Sequence, residues 1–301
     1  MGERINIVEV GPRDGWQNLK QLIPTETKKQ LIDGLVDAGA REIEITSFVS
    51  PKAIPQMADA AEIAAYCVEK HPEVTLLALV PNFRGVQKAW EAGIRKVTYV
   101  ISLSESHNKA NIRHTHEESF AELEQIVTTY PEMTVVGGMA TILGCPYEGF
   151  FPIEKQVAFA KRIASYGVKD FGIADTIGIA TPDRVRDTVK ALQDALPDCN
   201  FQIHIHDTRN MGITNSLAAI ECGIRDVQST LGGLGGCPFA PGASGNTATE
   251  DLVYMLDNMG YETGYDFEKL VALSRLQKKL IPDGIYSGHQ MNIQPKNPPC
   301  C

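Results

Sequence analysis

The sequence predicts an α/β fold, a (β/α)8 TIM barrel with an appended C-terminal helical segment, and three observations carry that expectation. Eight short β-branched runs alternate with longer amphipathic stretches. The runs start about every 32 residues, the length of one βα unit. No Pro-, Gly- or polar-rich linker breaks the series, as a boundary between two doubly wound halves would. The expected division is a barrel over residues 1–260 and a C-terminal helix and tail over 261–301, packed on the barrel.

In chain order, the predicted strands are 5–10, 42–47, 75–80, 96–102, 134–141, 170–176, 201–207 and 226–231. In the second, Ile43 and Ile45 alternate with Glu42, Glu44 and Thr46, so Glu44 is expected to point inward about halfway up. Two helix starts are explicit. Thr115 with Glu118 reads as a capping box. Thr181-Pro182 reads as a hydroxyl N-cap and a first-position proline, ahead of Val185, Val189 and Leu192 at helical spacing. The eighth helix falls at about 247–259. A further amphipathic stretch over 266–281 sets Phe267, Leu270 and Val271 on one face and ends at Pro282-Asp283-Gly284. The last dozen residues, ending in Cys300-Cys301, lack periodicity and are expected to be poorly ordered unless they dock.

Composition narrows the function. With 28 Lys+Arg against 37 Asp+Glu the formal charge is −9, and no basic cluster offsets it, so nucleic acid is not an expected partner. The apolar runs, such as Leu76 to Val80, are far shorter than the roughly 20 residues of a membrane span. Residues 1–4 lead straight into a strand, with no room for the core of a signal peptide. Seven scattered cysteines without a Cys-x-x-Cys pair suit a reducing compartment. The expected location is cytoplasmic.

In such a barrel the site lies at the C-terminal ends of the strands. There, Gln202-Ile203-His204-Ile205-His206-Asp207 alternates isoleucines toward the helices with two histidines toward the interior, about 6.7 Å apart along the strand. They can converge on one metal ion, or be two hydrogen-bonded core histidines. His114-Thr115-His116 repeats the spacing but flanks the capping box, where solvated or helix-end roles are expected and no metal role is assigned. After the first strand, Gly11-Pro12-Arg13-Asp14-Gly15-Trp16 places a guanidinium and a carboxylate at the barrel mouth, as site groups or as a structural ion pair. Asp175 ends the sixth strand and can position a ligand, orient Arg13 or satisfy backbone. The eighth strand runs into a loop with six glycines between 232 and 246, carrying Cys237 and Asn246. The loop lacks the Gly-Lys-Ser/Thr ending of a nucleotide P-loop. Asn246 can cap the next helix, with Glu250 in its first turn, or present its amide oxygen to a metal.

Taken together, these residues resemble the 3-hydroxy-3-methylglutaryl-CoA lyases, members of a barrel superfamily of metal-dependent lyases and acyl-CoA condensing enzymes. The resemblance spans nearly the whole chain. It rests on Gly11-Pro12-Arg13-Asp14-Gly15, Thr46 through Lys52, Leu143 through Gly149, His204 through Thr208, and Gly233 through Pro238 followed by Gly242 through Asn246. It implies that Asp14, His204, His206 and Asn246 hold a divalent cation, a nitrogen and oxygen set suited to Mg2+ or Mn2+. It also implies that Arg13 stabilises a thioester enolate, that Cys237 protonates it, and that Glu44, Asp175 and Glu250 support the chemistry. The expected partners are an acyl-CoA thioester and a second copy of the chain in a homodimer.

Two departures bear on the acyl group. Arg209-Asn210 follows Thr208 where the family usually has an aromatic residue and glycine, and Trp16 replaces a leucine. Arg209 is a candidate partner for a substrate carboxylate or a solvated side chain, and Trp16 a candidate wall of the acyl pocket. The alternatives are a lyase for another 3-hydroxy-3-alkylglutaryl-CoA, a Claisen-type condensing enzyme, and a silent acyl-CoA-binding barrel. The loop cysteine and the short stretch after the barrel favour a lyase over a condensing enzyme.

Overall fold

A computed structural model describes residues 2–235 and 245–293 of the chain. Strands β1 (Asn6–Glu9), β2 (Glu42–Ser47), β3 (Thr75–Val80), β4 (Lys96–Ser102), β5 (Thr134–Ala140), β6 (Asp170–Asp175), β7 (Asn200–Ile205) and β8 (Asp226–Ser229) form a closed parallel barrel in sequence order. β8 closes it by pairing with β1. Helices α1 (Thr25–Asp37), α2 (Ala60–Lys70) and α3 (Phe83–Glu91) follow the first three strands. Two helices, α4 (Glu105–Ile112) and α5 (His116–Thr129), follow β4. Then come α6 (Ile153–Ala164), α7 (Pro182–Ala195), α8 (Gly212–Glu221) and α9 (Thr249–Asn258) after β5 to β8, and the appended α10 (Phe267–Leu280). Among the described residues no helix is long and apolar enough to cross a membrane.

The period-two pattern explains the layers. Ile43, Ile45, Phe171, Ile173, Ile203 and Ile205 are all at most 1% exposed, beneath the helices. Phe171 stacks on Phe201 across β6 and β7 at 5.4 Å. The alternate positions point inward, and the start of the barrel is plugged by polar ones. Asn6 Nδ2 donates to Glu42 Oε2 at 2.8 Å and Asp226 Oδ1 at 2.7 Å, and Lys96 Nζ donates to Glu42 Oε1 at 2.6 Å. The barrel is therefore tied shut at this end.

Several local expectations shift. The first and last strands are shorter than the runs that predict them. The Glu9 carboxylate accepts the N–H groups of Gly11 and Leu231, which would otherwise carry the ladder onward, at 2.8 and 3.0 Å. The chain instead turns, as a π-helical turn at Gly11–Gly15 and a 3-10 turn at Leu231–Gly233. A side chain at 11 would place its Cβ 2.5 Å from Glu9 Oε1, so this contact requires glycine. Thr181 precedes α7 with Pro182 at its first turn, but its hydroxyl bonds Asp183 rather than capping the helix. Asn246 does not cap α9, which starts after Ala248. The capping box of α5 is present, and α4 has its own cap, the Ser104 hydroxyl accepting from His107 N. His116 takes the helix-end role, opening α5; its Nε2 donates to Ser102 O at 2.8 Å and its ring packs near Phe120 and Phe159.

α10 packs against α1 and α9 and continues into a segment laid over the mouth of β8. Gly288 N donates to Gly232 O at 2.9 Å, and Ser287 Oγ to Asn246 O at 3.0 Å. The Cys300-Cys301 tail lies outside the described residues.

The plug at the strand starts predicts a clean separation of stability from chemistry. Lys96→Met leaves Glu42 without its cation in a largely buried place and lowers unfolding free energy by about 2 kcal/mol, read by urea denaturation. Metal affinity, read by titration calorimetry, stays within twofold of wild type.

Candidate active site

Three strand ends bring the predicted polar residues together. The π-helical turn after β1 supplies Arg13 and Asp14, each 9% exposed, and the end of β7 supplies His204 and His206. One ligand atom each from Asp14, His204 and His206 lies within 4.8 Å of the others, a group that can hold a metal ion. His204 Nε2 and His206 Nε2 stand 3.9 and 3.7 Å from Asp14 Oδ2. The fourth predicted ligand, Asn246, is joined by a β-bridge to His206 and donates from Nδ2 to Asp14 Oδ2 at 2.7 Å. Its Oδ1 is buried with no partner among the described residues.

The electrostatics suit a cation. Burial is the largest single effect on Asp14 and works against its charge, but the Arg13 guanidinium and the two histidines together outweigh it and hold the carboxyl well below its usual range. Burial, then the neighbouring His206, pushes His204 down to about 3, so the imidazole is neutral and its lone pair is available. Gln228 Oε1 lies 2.8 Å from His204 Nδ1; with the proton placed there by that bond, Nε2 is left to face Asp14. The orphaned Asn246 oxygen, the neutral imidazole and the ionised carboxylate together fit a hard divalent cation.

Arg13 is held from two sides, Nε donating to Glu44 Oε2 at 2.5 Å and Nη1 to Asp14 Oδ1. Burial opposes its charge, and Asp14 and Glu44 overcome that and raise its pKa. Glu44 is 1% exposed, as the inward alternation of β2 requires, and its Oε1 has no partner among the described residues. The cluster opens onto a cavity of about 800 Å³ at the C-terminal end of the barrel. Arg13, Asp14, His204, His206 and Gln228 form one side of it, while Lys52, Asn111, Arg113 and His114 also contribute to the lining.

The other predicted residues do not join this group, although Asp175 lies close enough to His206 for the two charges to interact. Asp175 accepts from Ile179 N and Ala180 N, both at 3.0 Å, and so shapes the turn after β6; burial raises its pKa. Glu250 Oε2 accepts from Gly232 N at 2.8 Å beneath the glycine-rich loop. Cys237 lies outside the described residues. Arg209 is exposed and donates to the carbonyls of Ile177 and Gly178, bracing the same turn as Asp175 rather than lining the cavity. Trp16 is 1% exposed and donates from Nε1 to Gln277 Oε1 on α10 at 3.1 Å, so it anchors the appended helix and is not a wall of the cavity.

Sequence reasoning passed over four supporting residues. Gln228 follows the inward alternation of β8 from Asp226, a signal that was legible. Gln277 donates to Leu231 O at 2.8 Å and Glu9 bridges the first and eighth loops, both through contacts more than 40 residues apart that no local pattern announces. Ser287 likewise reaches Asn246 from the segment after α10.

The HMGL-like family model matches residues 4–276. The mitochondrial hydroxymethylglutaryl-CoA lyase of Macaca fascicularis is 42% identical over 271 residues, covering 89% of this chain and 83% of that protein. The cytoplasmic 3-hydroxy-3-methylglutaryl-CoA lyase of Rattus norvegicus is 41% identical, covering 89% and 79%. Among solved structures, an HMG-CoA lyase from Acinetobacter baumannii in complex with coenzyme A and 3-methylmalate superposes with a TM-score of 0.89 at 37% identity, over 98% of both chains. A hydroxymethylglutaryl-CoA lyase from Pseudomonas aeruginosa gives 0.91 at 34% identity, over 97% of this chain and 98% of that one.

The buried carboxyls behind the loop predict a pH signature. Burial pushes Glu250 up to about 8 and Glu9 up to about 7, against the hydrogen bonds that favour their ionised forms. A carboxyl whose folded pKa is raised binds its proton more tightly when folded. Its stabilising share is full below the unfolded value and is lost as pH climbs through the folded one. Buried histidines add an opposite trend below about pH 6.5, so the informative quantity is a difference. Glu250→Gln mimics the protonated acid. Its unfolding free energy matches wild type near pH 5 and exceeds it by on the order of 2 kcal/mol at pH 8, in parallel denaturant series.

Proposed function

The chain belongs to the HMGL-like family, and on that premise we propose that it is a metal-dependent carbon-carbon lyase that cleaves 3-hydroxy-3-methylglutaryl-CoA to acetoacetate and acetyl-CoA. The observation that carries the reading is the buried group of Asp14, His204 and His206, with Asn246 Oδ1 unpartnered beside it and Arg13 locked at its edge. Asp14, His204, His206 and the Asn246 amide oxygen would hold Mg2+ or Mn2+. Such an ion supplies a Lewis acid that polarises the substrate's C3 hydroxyl.

The chemistry then asks for two things of the chain. As the hydroxyl proton passes to a carboxylate of the site and the C2–C3 bond breaks, the bond's electron pair moves into the thioester and the C3 oxygen becomes a ketone. Negative charge therefore appears on the thioester oxygen. Arg13 is suited to meet it: Nε and Nη1 are committed to Glu44 and Asp14, so the guanidinium is fixed before the substrate arrives. Glu44 acts through Arg13 as a positioning residue. The second need is a proton for the enolate carbon, which completes acetyl-CoA. We assign its delivery to the Cys237 thiol, on the strength of the sequence resemblance and the glycine-rich segment that carries it. Asp175 and Glu250 support the loops after β6 and β8 through their backbone contacts. The scattered cysteines favour a cytoplasmic setting.

Purified protein incubated with 3-hydroxy-3-methylglutaryl-CoA is expected to release acetoacetate, to stop on addition of EDTA and to resume with Mg2+ or Mn2+. Turnover that survives exhaustive chelation would remove the metal from the reading. Arg13→Lys keeps a cation but loses the fork, and kcat is expected to fall roughly 100-fold with bound Mn2+ retained. Cys237→Ala should lose most turnover and keep its Mn2+, followed by electron paramagnetic resonance; unchanged kcat there assigns the proton to another group.

A further inference from the structure

We infer that the cavity is shaped for a thioester whose C3 substituent is an alkyl chain longer than methyl, an inference that rests on the lyase reading and narrows its substrate class. A TIM barrel interior is ordinarily filled by layers of bulky branched side chains. Here the inward positions of β5 and β6 that face the cavity carry Gly138 and Ala140, and Gly172 and Ala174. At Gly138 the space is taken by Val100 and Thr98 of β4, whose Cγ2 atoms would lie 2.9 and 3.3 Å from an added Cβ, so the opening lies on the β6 side, at Gly172 and Ala174. The register puts this hollow next to the cation-binding group: Ala174 pairs with His204, and one level down Gly172 pairs with Gly138. Val100, the partner of Gly138 on β4, and Val136 complete the wall.

Thr98 on β4 adds one hydroxyl to this wall, and none of its side chains is charged. The wall therefore cannot host the substrate's free carboxylate without leaving that charge unpaired, and it cannot satisfy the carrier's amides either. It can bury hydrocarbon. A C3 methyl projects a single carbon toward it, whereas the room beside Gly172 and Ala174 admits further methylenes, each favouring binding by about fourfold when buried. Space also exists for the reverse change. A Cβ built on Gly172 meets nothing closer than Gly138 Cα at 3.6 Å, and its backbone is outside the left-handed region, so a side chain there grows into the hollow without strain.

The test compares kcat/KM for 3-hydroxy-3-methylglutaryl-CoA and 3-hydroxy-3-butylglutaryl-CoA in the Mn2+-loaded full-length protein, for wild type, Gly172→Ala and Gly172→Val. Wild type is expected to favour the butyl compound at least tenfold. That ratio should fall stepwise with the size of residue 172, by tenfold or more in Gly172→Val. A merely structural defect would lower both substrates together and leave the ratio unchanged, and that result overturns the proposal. Turnover of the methyl compound with rejection of the butyl one overturns it as well, while leaving the lyase reading intact. Turnover of neither overturns both.

Discussion

The Asp14 carboxylate is the constraint around which the site is arranged. It is nearly excluded from water, and an isolated carboxylate there would take up a proton. Arg13, the preceding residue in the chain, helps keep it ionised, and Arg13 is in turn kept buried and charged by Glu44 on the neighbouring strand. One guanidinium therefore lies between two carboxylates, and the site keeps an excess of negative charge before anything binds. That arrangement leaves one Asp14 oxygen facing His204 and His206, which burial keeps neutral at least at the first of them. The neutral His204 imidazole and the fixed Asp14 carboxylate are complementary to a cation. Removing either member of the Arg13–Asp14 pair leaves a buried charge uncompensated, so site integrity and local folding are the same problem here.

A second tier holds these groups in place, and much of it comes from outside the eight βα units. The π-helical turn carrying Arg13 and Asp14 is fastened at both ends: Glu9 accepts from Gly11 N, and Trp16 reaches Gln277 on α10. Gln277 also donates to Leu231, and Ser287 reaches Asn246, so the loop after β8 is bound to the same C-terminal segment. The appended helix is thus part of the scaffold of the site rather than an ornament on the barrel. Glu9 and Glu250 belong to this tier as well, each spending its hydrogen-bonding capacity on the backbone of the eighth-strand loop.

This division explains what could be read from the sequence. Strand count, closure order and the inward or outward sense of Glu44, His204 and His206 follow from period-two alternation, which depends only on neighbours in the chain. So does the α5 capping box. The ends of β1 and β8 were not legible, because a carboxylate from one strand intercepts the N–H groups of another loop. Arg209 and Trp16 looked like specificity residues because they depart from a motif. Their partners, the carbonyls after β6 and an amide on α10, are distant in sequence and turn both into structural elements. The Thr181 cap failed because its hydroxyl takes the nearer Asp183, and the Asn246 cap because the helix begins only at Thr249, with Ala248 at the N-cap position.

The net charge of −9 and the chemistry of an anionic thioester pull in opposite directions, and the barrel resolves them by location. Acidic groups at the strand starts, Glu42 and Asp226 among them, are tied up with Asn6 and Lys96 at the closed end. At the open end, Lys52 and Arg113 line the cavity that leads to Arg13. The cavity is also divided across its width, charged on the side of β1, β7 and the first loop, and uncharged and mainly apolar along β4 to β6, where Thr98 and Thr176 are the polar side chains. A ligand that fits must match both halves, presenting oxygens to one wall and hydrocarbon to the other. Polar groups fix its orientation because each has few partners, whereas the apolar wall accepts any hydrocarbon of suitable size. Reaction type is accordingly set by residues that can hardly change without unfolding the site, and substrate range by glycines and alanines that can.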